Sequence, residues 1–398
     1  MSSAALVVGN TYYISCDNYV GTGYRGTFTL CIDNIDGTYY SIADGLWNNG
    51  NNWSIVSHTG PAAASYPNVG DVAYIEDNTI SVAGAEVCAE LNMNVNAATT
   101  LLDVNGGSLT IGGELNLTNS GNNFDGSILV QGTGSMTVND AATFTRNGGT
   151  NAFGLTVETG SSVTINKNFE WISTAGTVTN STLTLNGSGA LIVGQDLIFN
   201  HTGGMKIFTQ LNNTSTLTAS RDISFIAGAD NLVEMELNNT SSLRIKRNVL
   251  RGTPAYGKLT CNNNTTVIYN GTANSQLVGA GGSGTGDTFT YQNLTFDNTH
   301  ITVPQLTLQG GNLNVQKQLV FANGIVKTTS SNLLIVNDIT TTLLGSSTSY
   351  VEGPLRKIGT SAYTFHIGKS GEYAPVSISA PSVATDYFTA EYFNTNPT

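Results

Sequence analysis

Apolar residues occur along this chain in short alternating runs, and between about residues 107 and 265 the runs themselves repeat. They read GSLTIGGELNL, GSMTVNDAATF, SSVTINKNFEW, GALIVGQDLIF, STLTASRDISF and SSLRIKRNVLR. Anchored on the first large apolar residue, they fall at Leu109, Met136, Val163, Leu191, Leu217 and Leu243, spaced by 27, 27, 28, 26 and 26 residues. Alternation within a run predicts a strand with one face on a core. A period near 26 holding three such runs, as in SLTI, GELNL and SILVQ, matches one turn of a parallel β-helix. β-Propeller blades need roughly 40 to 45 residues, so the period excludes them. The expected fold is therefore all-β: a right-handed three-sided parallel β-helix (solenoid) of roughly ten coils over 71–345, flanked by antiparallel β-sandwich pieces.

Columns read across the repeats sharpen this. Two positions after each anchor stand Ile111, Val138, Ile165, Val193, Ala219 and Ile245, and six after stand Leu115, Ala142, Phe169, Leu197, Ile223 and Val249. Eight after stand Leu117, Phe144, Trp171, Phe199 and Phe225, a column that breaks at Arg251. The alternation puts these aromatics on the face of the apolar columns, which predicts core stacking and not an outward sugar platform. Lys167, Gln195, Arg221 and Arg247 fall between them and are expected outside. A further column, Asn186, Asn212, Asn238 and Asn262, suits a corner, because Asn tolerates left-handed backbone and stacked amides can bond one another.

Composition agrees. Gly (45), Asn (45) and Thr (54) make up more than a third of the 398 residues, and all three are poor helix formers. Charged residues are 11% of the chain, and 15 Lys+Arg against 27 Asp+Glu give a net charge of −12, which repels phosphate backbones and argues against nucleic acid as a partner. No apolar run is long enough to span a bilayer, and the start MSSAALVVGN lacks the basic and apolar regions of a signal peptide, so any targeting segment is expected outside this chain. Cys16, Cys31, Cys88 and Cys261 have no CxxC spacing, which disfavours zinc. A hairpin of TYYISC and TFTLCI would let Cys16 and Cys31 pair; the alternative is two free thiols.

The flanks lack the period. Residues 1–37 read as the tail of an antiparallel sandwich, 38–70 as linker and cap with Trp47 and Trp53 closing the open end of the core, and 346–398 as the start of a second sandwich. The segment GNTYYISCDNYVGTGYRGTFTLCI resembles the last strands of jelly-roll modules in secreted Bacteroidetes proteins. YYSIADGLWNNGNNWS with PNVGDVAYIEDNTISVAG resembles the entry to their β-helical regions, and YVEGPLRKIGTSAYTFHIGKSGEYAPVSIS the sandwich that follows. His366 departs from the pattern, which usually has Pro before that Ile-Gly. The resemblance implies a fragment of a large adhesin-like protein, exported by the type IX route to the cell surface or medium, with polysaccharides, cell-surface glycans and neighbouring modules as partners.

Catalysis on such a scaffold needs carboxylates or bases concentrated on adjacent coils. The best column is Asn168, Asp196, Asp222 and Asn248, where Asp196 and Asp222 stand one coil apart. They are the acid–base candidates if the chain is a polysaccharide lyase or glycoside hydrolase. Replacement by Asn at both ends favours a turn-shaping role. Arg244, Lys246, Arg247, Arg251 and Lys258 gather five positive charges within fifteen residues and are the ligand-binding candidates, for an acidic polysaccharide or another module. His58, His201, His300 and His366 show no triad or metal spacing, and no phosphate loop or calcium repeat occurs, so neither a cofactor nor a metal is expected. Outward Thr110, Thr137, Thr164 and Thr218 suggest a crystalline-surface binder, but Ile192 and Arg244 interrupt them. The readings rank as a non-catalytic structural and adhesive module, then a carbohydrate-active enzyme, then a crystalline-surface binder.

Overall fold

The computed structural model describes residues 37–395, except 122, 150, 176–180, 204, 229–231, 252–255, 280–289, 339–340 and 344. The expected hairpin around Cys16 and Cys31 lies outside the described residues. Within them, a three-residue 3-10 turn at Gly50–Asn52 is the only helical segment, and no helix is long and apolar enough to cross a membrane.

The chain winds through three parallel sheets in turn. Leu115–Asn119 lies in the first, Gly126–Gln131 in the second and Ser135–Val138 in the third, and Ala142–Asn147 returns to the first. It pairs there with the strand one turn earlier, Leu115 beside Ala142 and Leu117 beside Phe144. The second sheet holds nine strands, one per turn, so the solenoid has about nine turns. Register fixes what each side chain meets. The anchors Leu109, Met136, Val163, Leu191, Leu217 and Leu243 stack in the third sheet, each at most 1% exposed.

The small variation in period has one location. From second-sheet to third-sheet strand starts, the step is 9 residues in successive turns (Gly126 to Ser135, Phe153 to Ser162, Ser181 to Ala190). From third to first sheet it is 7 residues (Ser135 to Ala142, Ser162 to Phe169, Ala190 to Leu197). Only the corner between first and second sheets changes: 11 residues from Leu115 to Gly126, 12 from Phe169 to Ser181 and 10 from Leu197 to Ile207. Part of the longest corner is a bulge, where Arg146 pairs with Ser173 and Asn147 with Ala175, leaving Thr174 extra.

That corner is lined inside by a polar column, Asn119, Arg146, Ser173 and His201, each at most 2% exposed. Three of its members hold the loops. Asn119 Nδ2 donates to Phe124 O at 3.2 Å, Arg146 Nε to Gly148 O at 3.0 Å and Ser173 Oγ to Met205 O at 3.0 Å. Burial lowers the Arg146 pKa to about 10, against the opposing pull of Asp125, and its guanidinium lies 5.5 Å from the centre of the Phe153 ring.

The other inward positions of the first sheet in these turns are apolar. Trp171 is fully buried, with Phe144 at 5.0 Å and Phe169 at 5.6 Å between ring centroids, and Phe199 is its register partner on the next turn. Its indole Nε1 donates to Ser181 Oγ at 2.6 Å, so the one polar atom of the ring is satisfied inside the core. The aromatic column is packing, as its alternation predicts.

At the N-terminal end Trp47 and Trp53 lie edge to face, 5.1 Å apart and buried, with their ring nitrogens donating to Pro67 O and Trp47 O. They cover the end of the core, in a segment that already belongs to the ladder: Thr38–Ser41 runs parallel to Val72–Glu76. The ladder also outlasts residue 345. After Val249–Arg251 and Lys258–Cys261 the first two sheets end, and a six-stranded sheet beginning at Gln276–Gly279 accompanies the third sheet onward. Parallel pairing persists to Val351–Glu352 beside Ile367–Lys369. Antiparallel pairs then appear, Leu355–Ile358 with Tyr387–Ala390 and Tyr363–Phe365 with Val376–Ile378.

Truncating a close-packed, fully buried ring leaves a cavity in several turns at once. Trp171→Ala is expected to lower unfolding stability by about 3 to 5 kcal/mol in denaturant titrations, whereas Thr164→Ala, on the outside of the third sheet, should stay within about 0.5 kcal/mol.

Candidate functional site

The acidic column forms where the third sheet turns into the first. Each side chain accepts the backbone N–H of its successor one turn on. Asp196 N–H donates to Asn168 Oδ1 at 3.1 Å, Asp222 N–H to Asp196 Oδ1 at 3.0 Å, and Asn248 N–H to Asp222 Oδ1 at 3.1 Å. Leu277 N–H donates in the same way to Asn248 Oδ1 at 2.8 Å. The carboxylates also have cations beside them, Arg221 Nε at 3.5 Å from Asp196 and Arg247 Nε at 3.9 Å from Asp222. Asp and Asn offer the same oxygen to the same amide, which is why they alternate here. Asp196 and Asp222 are adjacent as their spacing requires, but one oxygen of each carboxylate is engaged by the backbone N–H of the following turn and so holds the corner.

The Asn column behaves likewise. Asn212 Nδ2 donates to Asn186 Oδ1 at 3.0 Å, Asn238 to Asn212 at 3.1 Å and Asn262 to Asn238 at 3.0 Å. The left-handed backbone falls one residue later, at Gly187, Asn213, Asn239 and Asn263, with φ of 57°, 58°, 60° and 55°. Amide ladder and left-handed corner are thus divided between consecutive residues, a refinement of the single column expected.

The basic residues do not form one patch. Arg244 is exposed on the third sheet, Lys246 and Arg247 stand at the following corner, Arg251 ends the first sheet opposite Phe225, and Lys258 begins a second-sheet strand. Closeness in sequence distributes them around one turn of the solenoid. Lys258 pairs with Glu234 at 3.3 Å and Arg247 with Asp222, which leaves Arg244 and Lys246 as the exposed pair without an ion-pair partner among the described residues. Outward Thr110, Thr137 and Thr164 do stand in register on the third sheet, followed by Ile192, Thr218 and Arg244.

Two features escape a reading by columns. The strand Val233–Leu237 turns both Glu234 and Glu236 outward on the second sheet, beside Phe208 and Gln210 of the previous turn. Glu234 is bonded by both Lys206 and Lys258, and the Lys206 ammonium also lies 4.6 Å from the centre of the Phe208 ring. Burial pushes the Glu234 carboxyl up, but the bonds and charges of Lys206 and Lys258 outweigh it and hold the group below the ordinary Glu range. The run VEMEL carried this pair in the sequence, outside the repeat columns.

The second feature is a recess of about 460 Å³ after the first two sheets have ended, bordered by the segment 298–305, the turn 323–325 and the loop at Ser347 and Thr348. Its position depends on the change of cross-section, which no periodicity announces. Cys88 and Cys261 are buried in the core, where desolvation above all pushes both thiols up to about 12. Among the described residues no three His, Cys, Asp or Glu side chains converge as a metal site.

Comparison with family models, curated proteins and solved structures finds no match to this chain.

Two measurements check this geometry. Asp222→Asn should cost no more than about 0.5 kcal/mol of stability, because the amide oxygen still accepts the Asn248 N–H, while Asp222→Leu leaves that donor unpaired and should cost about 1 to 3 kcal/mol. Glu234 has a folded-state pKa below its unfolded one, so its stabilisation is present above the unfolded value of about 4.3 and is lost as pH falls through the folded value. Urea midpoints measured from pH 7 down to 3 should drop less steeply in Glu234→Gln than in the parent chain.

Proposed function

We propose that this chain is a non-catalytic structural and adhesive module of a secreted or cell-surface protein, a rigid rod that displays or binds surfaces such as glycans. The observation that carries the reading is the use of Asp196 and Asp222. Each accepts a backbone N–H of the next turn, which supports a structural use of this carboxylate pair. A rod suits display because strands within the stack are paired with the turns before and after them, and outward positions vary without disturbing the core. The resemblance of the flanks to secreted Bacteroidetes adhesin-like proteins supports the same reading, with export by the type IX route and neighbouring modules of one large protein as its context.

The competing reading, a polysaccharide lyase or glycoside hydrolase, finds its best support in Glu234 and Glu236. Acid–base cleavage needs one carboxyl that keeps its proton near neutral pH. Glu234 is pushed the other way by two ammonium groups, so it is a poor general acid. Lys206 and Lys258 are in turn engaged by Glu234, which leaves neither as a free base for uronate abstraction.

Purified chain incubated with pectic, algal and hemicellulosic polysaccharides is expected to release no reducing ends and to generate no unsaturated-uronate absorbance. Either product, if lost in Glu234→Gln or in the Asp196→Asn, Asp222→Asn double variant, makes the chain an enzyme and ends the adhesive reading.

A further inference from the structure

The recess bordered by residues 298–305 has a chemistry specific enough to name a ligand. Its floor is built and locked. Asn298 is fully buried, and its Nδ2 donates to Ala273 O at 3.1 Å and to Gln276 Oε1 at 3.0 Å, while its Oδ1 accepts His300 N–H at 2.9 Å. Gln305, 8% exposed, donates through Nε2 to His300 O at 2.9 Å and accepts Ile325 N–H at 2.7 Å. These two amides fix the loop from both ends, and their own hydrogen-bonding capacity is largely engaged in doing so.

What remains for a ligand is a short inventory. The Thr302 N–H donates to His300 Nδ1 at 3.0 Å, which makes Nδ1 the acceptor and places the ring proton on Nε2, a donor held in fixed orientation. Hydroxyls come from Thr299, Ser347 and Thr348, the last also hydrogen-bonded to Ser346 Oγ at 3.1 Å, and Asn323, whose Nδ2 donates to Asp297 Oδ1 at 2.7 Å, adds a carboxamide oxygen. The apolar part is aliphatic: Ile325 is 3% exposed inside, whereas Ile301 and Val303 are 93% and 54% exposed at the rim. Among the described residues no Asp, Glu, Lys or Arg lines the recess, and no aromatic ring other than that of His300.

Each of these groups restricts the occupant. A lining without charged groups offers nothing to balance an ionised ligand in a recess, so the ligand is neutral. A volume of about 460 Å³ is that of a site for one compact molecule rather than a polymer groove. Hydroxyl and imidazole groups suit a polyol. A flat sugar ring prefers an aromatic face, whereas isolated branched aliphatic side chains suit a projecting methyl group. We infer that this recess binds one neutral, methyl-bearing sugar residue, N-acetylated or 6-deoxy, with the methyl against Ile301 and Val303 and a hydroxyl or carbonyl oxygen accepting from His300 Nε2. The inference rests on the adhesive reading and gives it a site and a ligand class.

The test uses the whole chain and saturation-transfer NMR with titration. The probes are N-acetylglucosamine, fucose, glucose and galacturonate. Two variants alter the exposed rim without touching the core: Ile301→Ser removes the methyl contact and Ser347→Trp fills the recess. Thr164→Ala, on the third sheet, is the control. Expected are at least tenfold tighter binding of N-acetylglucosamine or fucose than of glucose, a tenfold or greater loss in both rim variants with unchanged thermal melting, and no change in Thr164→Ala. Preference for galacturonate overturns the neutral class. Sugar binding that survives both rim variants overturns the site and leaves the adhesive reading standing. If none of the four sugars binds, the ligand assignment is overturned, and retention of the chain on insoluble polysaccharide then decides the adhesive reading separately.

Discussion

Everything in this structure depends on in-register parallel pairing between successive turns. Strands one turn apart lie about 4.8 Å from each other, so each inward side chain rests on its counterpart in the next turn. The core is therefore a set of columns, and a column tolerates only residues that pack on themselves. Leu109, Met136, Val163 and Leu191 do so in one column, and Phe144, Trp171 and Phe199 in another. Corners obey the same rule with hydrogen bonds in place of packing: the Asn ladder and the Asn168 to Asn248 column repeat one bond from turn to turn.

This constraint also restricts where function can reside. Two of the three corners are fixed in length across the central turns, and the columns they carry are engaged in holding the stack together. The freedom lies at the corner between first and second sheets, on the outward faces, and beyond Cys261, where the first two sheets end and long third-sheet strands such as Leu313–Asn323 run with a new partner sheet. The ion-paired Glu234 cluster occupies an outward face, and the 298–305 recess occupies the region of changed cross-section. Neither depends on a repeat column, so variation in either leaves the inward columns of the stack unchanged.

That distinction explains how far the sequence could be read. The three-sided winding, the inward columns, the burial of Trp171 and the Asn ladder all follow from period and alternation, because in a solenoid the repeat is the packing. Less was visible where the repeat gives no guidance. The buried column Asn119, Arg146, Ser173 and His201 lies ten residues after its anchors, but four different polar types do not resemble a column until the register aligns them. The basic residues from Arg244 to Lys258 suggested one patch, and fifteen residues of a solenoid instead carry them from sheet to sheet. Thr38–Ser41 holds the first strand of the ladder outside the clear repeat, and the recess arises from contacts between segments about 50 residues apart in sequence.

The turns form one stack in which strands of all three sheets are paired above and below. Native-state amide hydrogen exchange, resolved by residue, tests this most directly. Strands of the turns between Glu90 and Tyr269 should exchange slowest and at comparable rates in the three sheets, while Tyr387–Ala390, which has one neighbour, should exchange early. Rapid exchange throughout one of the three sheets, with the other two protected in the same turns, would contradict it.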